Sequence, residues 1–121
     1  MKDSKIKGLR PTMRVKKRFL LIKIISSEIF DFSQISFSIN QQLLQILGSH
    51  QYGEFGIWII KEQFNKKEQQ IILKTTPQGV DKVIASLSLG ISINSKQVRA
   101  KIINVSGTLK GLKNNIENDK K

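Results

Sequence analysis

No cysteine occurs anywhere in this chain, so neither a disulfide framework nor a thiolate metal site can be built, and a reducing compartment is the simple reading. His50 is the only histidine, which excludes an imidazole pair, a His-based metal cluster and a two-histidine acid/base mechanism. It reads as an ordinary loop residue. Acid is scarce: there are nine Asp and Glu, and Glu54, Glu62, Glu68 and Asp81 stand singly among polar neighbours, as solvated surface charge does. Long apolar runs are missing too. Phe19 to Ile22 and Ile57 to Ile60 fall far short of the roughly 20 residues that a spanning helix needs. The basic N-terminus is followed by a run cut at Lys23, with no small-residue cleavage site after it, so the expectation is a soluble, cytoplasmic protein away from membranes. Gly48, Gly53 and Gly56 do not match a phosphate-cradling loop and read as turn punctuation.

What the chain has is positive charge. Its 21 Lys and Arg give a formal net charge of +12 over 121 residues, a balance that points to an anionic partner and says nothing about fold. Eight of the first 18 residues are Lys or Arg and only Asp3 is acidic. This basic segment runs straight into the apolar stretch Phe19 to Ile25, so a cationic arm over 1–16 feeds a core strand. The arm lacks periodicity, contains Gly8 and Pro11, and is expected to order on its partner.

From Lys17 to Ser26, Leu20, Ile22 and Ile24 alternate with Phe19, Leu21, Lys23 and Ile25, as in a strand covered on both faces. Asp31 or Ser33 then caps a helix with apolar positions Ile35, Ile39, Leu43, Ile46 and Leu47, which Gly48 ends. A hairpin follows, its arms Ile57 to Phe64 and Gln70 to Thr75. Thr76 and Pro77 open a second helix with the stripe Val80, Val83, Ile84 and Leu87, terminated by Gly90. After a polar connection, Val98 to Val105 reads as a fourth strand, and a short helix runs from about Thr108 to Leu112 ahead of a polar tail, 113–121. This order is that of an α+β ferredoxin-like βαββαβ sandwich, an antiparallel sheet with both helices on one face.

In such a sheet the first and third strands are central, and an RNA reader of the stacking type carries aromatics on both. The third strand here has none. The open face, with Phe19, Leu21 and Ile72, therefore reads as a surface covered by a partner protein or a terminal helix; Trp58 has the ring to stack on a base, but in so aliphatic a run it reads as core or interface packing. Phosphate contacts are expected from Lys5, Lys7, Arg10, Arg14, Lys16, Lys17 and Arg18, and from a second region holding Arg99, Lys101, Lys110 and Lys113.

The segment Leu9 to Ile22, the stripe Val80 to Leu89 and, above all, Val105-Ser106-Gly107-Thr108-Leu109-Lys110 resemble archaeal ribonuclease P protein component 2, a family that includes a eukaryotic subunit shared by ribonuclease P and its mitochondrial-RNA-processing relative. The resemblance spans about residues 8–112. It implies a ferredoxin-like fold and a non-catalytic subunit that pairs with another ribonuclease P protein. The subunit would bind the catalytic RNA, which uses Mg²⁺ to free the 5′ leader from precursor tRNA. No cofactor is expected on the protein itself. Two positions depart from the family pattern: Phe19 replaces the usual Tyr, keeping packing and losing a hydroxyl, and Lys23 replaces an acidic residue. Other readings of the same chain are a small-molecule regulatory domain of this fold, an assembly protein with incidental basicity, and an independent metal-dependent nuclease.

Overall fold

The structure, a computed structural model, describes residues 16–112. Strand β1 (Arg18–Ile25) leads to helix α1 (Phe32–Glu54), the hairpin β2 (Trp58–Asn65) and β3 (Gln70–Thr75), a 3-10 turn (Pro77–Gly79), helix α2 (Val80–Ser88), and strands β4 (Ile91–Ile93) and β5 (Lys96–Ser106). The strands form one antiparallel sheet in the order β2-β3-β1-β5-β4. Without β4 this is the expected ferredoxin-like arrangement, with β1 and β3 in the middle.

The alternation of β1 sorts its side chains. Leu20, Ile22 and Ile24 join Ile71 and Leu73 of β3 and Val98 and Ala100 of β5 beneath Ile35, Ile39 and Leu43 of α1 and Val83 and Leu87 of α2. Both helices therefore cover one face of the sheet. Burying each such aliphatic side chain contributes roughly 1.5–3 kcal/mol, so this layer dominates the stability of the fold. On the other face Leu21 and Ile72 are also buried, together with Leu112, and Phe19, Ile60, Ile103 and Leu109 pack around them. The small second core arises because the chain turns after β5 and lays a helical turn, 109–112, back across the sheet. A register shift in β5 opposite Leu21 and Ile22 inserts Ile103 as an extra residue, a bulge of the kind that sharpens sheet twist.

Local signals explain the element ends. Asp31 occupies the N-cap of α1, and its N–H donates to Oε1 of Gln34 at 2.9 Å, one half of a capping box. Gly48 breaks the helix as expected, with φ 84° and ψ 161°, but helical structure resumes and runs to Glu54. His50 thus sits on a helix rather than in a loop. Ile46, expected on the apolar stripe, points outward, whereas Leu47 packs on the core. Gly79 is required by space: a Cβ there would lie 2.6 Å from Thr75 Oγ1 and 2.8 Å from Phe55 Cγ. The Thr75 hydroxyl itself donates to the Phe55 carbonyl at 2.9 Å.

Strand β4 was not expected from the sequence. It has only three residues, too few for periodicity to show, yet Ile91 and Ile93 are buried. Its connection to β5 is Asn94-Ser95, and φ values of 52° and 68° at these two positions match a tight two-residue hairpin turn. What reads as a polar connection is therefore a hairpin that also lengthens β5 at its N-terminal end.

Candidate nucleic-acid interface

Cross-strand register builds the open face of the sheet in rows. Trp58 of β2 lies opposite Lys74 of β3, Lys74 opposite Phe19 of β1, and Phe19 opposite Ser106 of β5. The next row is Ile60, Ile72, Leu21 and Asn104, roofed by Leu112. Beyond it come Gln70, Lys23 and Lys101, and then Ile25 opposite Arg99. The apolar rows are central and the cations stand at the two ends.

At the first end Lys17 stands against Lys74. Burial, and then the neighbouring Lys17 charge and side chain, hold the Lys74 ammonium below the ordinary lysine range. No ion pair among the described residues involves either lysine. Arg18 donates from Nη1 to the Lys17 carbonyl at 3.1 Å, and the same Nη1 lies 3.7 Å from where a Cβ on Gly107 would be. The strand-opening cations and the Ser106-Gly107-Thr108 turn are thus one locality. Within the turn the Thr108 N–H donates to Ser106 Oγ at 3.3 Å, and the Gly111 N–H donates to Thr108 Oγ1 at 3.0 Å, which makes Thr108 the cap of the terminal turn. Lys110 is exposed on that turn.

At the opposite end Lys23 and Lys101 face each other in register, and Lys23 reaches Glu68 Oε1 at 3.8 Å. The acid that accompanies Lys23 comes from the β2–β3 turn. Arg99 and Lys101 lie five or more strand residues from Ser106, about 17 Å along β5 at the usual rise. The expected grouping of Lys110 with Arg99 and Lys101 is therefore corrected, since the length of β5 carries Lys110 to the Arg18 end. Lys16, Lys17 and Arg18 lie at the start of β1 as expected. Lys5, Lys7, Arg10, Arg14 and Lys113, with the rest of the arm and the tail, fall outside the described residues.

Of the residues expected to meet a partner protein, Leu21 and Ile72 are 2% and 3% exposed under Leu112. Their cover is the chain's own terminal turn, and they offer no free docking surface. Phe19 is half-buried beside them, whereas Trp58, on the edge strand, is 64% exposed. Lys74 was not singled out as a functional residue. Its signal was the parity that places it with Phe19, and its neighbour across the other strand became visible only with the β2–β3 register.

A cavity of about 470 Å³ lies between α1 and β2, lined in part by Phe32, Asn40, Tyr52, Lys61 and Glu62 and bordered by Trp58 of the edge strand. The Tyr52 hydroxyl donates to Asn40 Oδ1 at 2.6 Å, and burial raises its pKa above the ordinary phenol value. The lining supplies one carboxylate and one ammonium, with no nucleophile and base in contact. Among the described residues, no three His, Asp or Glu side chains gather as a metal site, and no helix is long and apolar enough to cross a membrane.

Comparison with known proteins adds three findings. The model of the Rpp14/Pop5 family matches residues 18–117. Ribonuclease P protein component 2 of Pyrococcus furiosus is 36% identical over 107 residues, covering 88% of each chain, and that of Methanobrevibacter smithii is 29% identical over 118 residues, covering 93% of this chain and 98% of the relative. In fold, the chain resembles one solved in the cryo-EM structure of yeast ribonuclease MRP, with a TM-score of 0.60 and 16% identity over 88% of this chain and 93% of that one.

Proposed function

The chain belongs to the Rpp14/Pop5 family, and from that premise we propose that it is a protein subunit of ribonuclease P, one that binds the catalytic RNA and supports removal of the 5′ leader from precursor tRNA. The enzyme is the ribonucleoprotein, which acts as an endoribonuclease; the protein contributes no catalytic side chain of its own. The observation that carries this reading is the placement of cations at both ends of the open sheet face, with Lys17, Arg18 and Lys74 at one end and Lys23, Arg99 and Lys101 at the other.

The mechanism is electrostatic and organisational. Lysine and arginine side chains neutralise backbone phosphates, release counterions and lower the repulsion between RNA helices brought together. Mg²⁺ belongs to the RNA in this scheme, and the protein makes its binding easier by lowering that same repulsion. Another ribonuclease P protein completes the particle. On this reading it docks on the helix layer, in support of which Phe37 of α1 and Leu89 after α2 stay 64% and 68% exposed. The site of action is the cytoplasm.

The test is cleavage of precursor tRNA by the cognate RNA at limiting Mg²⁺, with and without this protein and its protein partner. Stimulation that requires the RNA, and fades when Arg14, Lys16, Lys17 and Arg18 are neutralised, is the expected result. A folded complex that gives no stimulation would leave an assembly protein instead.

A further inference from the structure

We propose that Trp58, Lys74 and Lys17 form a subsite for one unpaired nucleotide of RNA, with the base stacked on the exposed indole and the adjoining phosphate held between the two ammonium groups. The inference rests on the RNA-binding reading above and adds to it a ligand class, single-stranded rather than helical RNA, at a named place.

Register supplies the geometry. Trp58 and Lys74 are direct cross-strand neighbours, and Lys74 faces Phe19 on its other side, so the lysine stem lies between two aromatic side chains. Direct cross-strand neighbours have Cβ atoms about 5 Å apart, close enough for a base on the indole to bring its own phosphate to the lysine. The terminal turn roofs the next row inward, over Leu21 and Ile72, and leaves Trp58 on the edge strand 64% exposed. An indole so open is the least satisfied apolar group on this face.

The charges decide what covers it. Lys17 and Lys74 stand side by side, and the Lys74 ammonium is destabilised by burial and by its neighbour. An apolar protein surface laid on Trp58 would desolvate both ammonium groups without compensation, which is unfavourable. A phosphate relieves their repulsion. Duplex RNA supplies phosphates, but its internal bases stay stacked on one another and expose no face along the helix, whereas an unpaired base lies flat on an aromatic ring. The pairing of an open indole with two neighbouring cations therefore matches a single-stranded nucleotide better than a duplex.

Trp58 is the only tryptophan, so its fluorescence reports this position alone. The full-length protein is titrated with a single-stranded oligouridylate and, separately, with a blunt RNA duplex of equal length. The subsite requires quenching by the single strand with little change on the duplex. It also requires that Trp58→Ala weaken single-strand affinity by about 5- to 150-fold, the range for loss of one stacked base. Duplex affinity and the melting transition should be unaltered, and Trp58→Phe should retain part of the binding. Binding of duplex or cognate RNA with no response at Trp58 to any RNA would overturn the subsite and leave the subunit reading standing. Failure to bind any RNA would overturn both. An emission change that appears only on adding the protein partner would make Trp58 a protein contact and overturn the proposal.

Discussion

Gly111 backs directly onto the Ser106 hydroxyl: a Cβ on this glycine would overlap Ser106 Oγ and come to 3.0 Å from Thr108 Oγ1. The terminal turn therefore closes on the end of β5 with no room for a side chain. Gly111→Ala should destabilise the protein by about 1–3 kcal/mol, the usual range for overpacking. Adding Ser106→Ala should recover part of that loss, because the obstructing atom is then gone. Urea denaturation of the two single variants and the double variant measures the coupling, and strict additivity would show that the two residues do not share this contact.

Leu112 is fully buried over Leu21 and Ile72. Leu112→Ala should cost about 2–5 kcal/mol, the range for truncating a core leucine. Phe37, on the exposed face of α1, is the control, and Phe37→Ala should stay within about 0.5 kcal/mol of the parent. Equal midpoints for all three proteins would mean that the terminal turn is not docked in solution.

Lys74 gives a pH dependence of definite sign. Its pKa is lowered in the folded chain, so between that value and the ordinary 10.5 the unfolded chain binds more protons. Stability should therefore rise with pH across that interval, the penalty of the charged lysine being present below it and gone above. Lys74→Met should remove this rise, stabilise the free protein near neutral pH and weaken RNA binding at the same time. Thermal melts against pH, run beside RNA titrations, separate the two effects.

If about six phosphates are contacted, the log–log salt slope of single-strand binding should be near −4. Each neutralised side chain among Lys16, Lys17 and Arg18 that meets a phosphate should reduce the magnitude of the slope by about 0.7. A parent slope near −1 would contradict an electrostatic interface of this size. Filter binding at several salt concentrations provides the measurement.

Ser95 holds φ 68° in the β4–β5 turn, a left-handed conformation that glycine accepts more readily. Ser95→Gly should stabilise the chain by up to about 1 kcal/mol. Lower stability instead would show that the serine side chain makes a compensating contact in this turn.

Much of the fold is local physics and could be read directly from the residues. Alternation in Phe19 to Ile25, the Asp31 cap, the Thr76-Pro77 start and the Val80 to Leu87 stripe each record a backbone period or an end condition, and the structure places elements at all four. The positive balance of the chain was equally plain, being a sum over side chains that needs no geometry. What needed the tertiary structure was every relation between distant segments. Three residues at Ile91–Ile93 carry too little pattern to announce a strand, and only pairing with β5 makes them one. The burial of Leu21 and Ile72 depends on where Leu112 lands, some 90 and 40 positions later in the chain. Lys110 shares an end of the sheet with Arg18 because the C-terminal part of the 11-residue strand β5 runs on past Arg99 and Lys101 before the chain turns. The row Trp58, Lys74 and Phe19 is a matter of hairpin register, in which a slip of one residue would send the indole to the other face. Composition and periodicity thus determined that a basic α+β protein would form, because those signals are carried within each segment. Long-range pairing decided which cations and which aromatic ring share a surface.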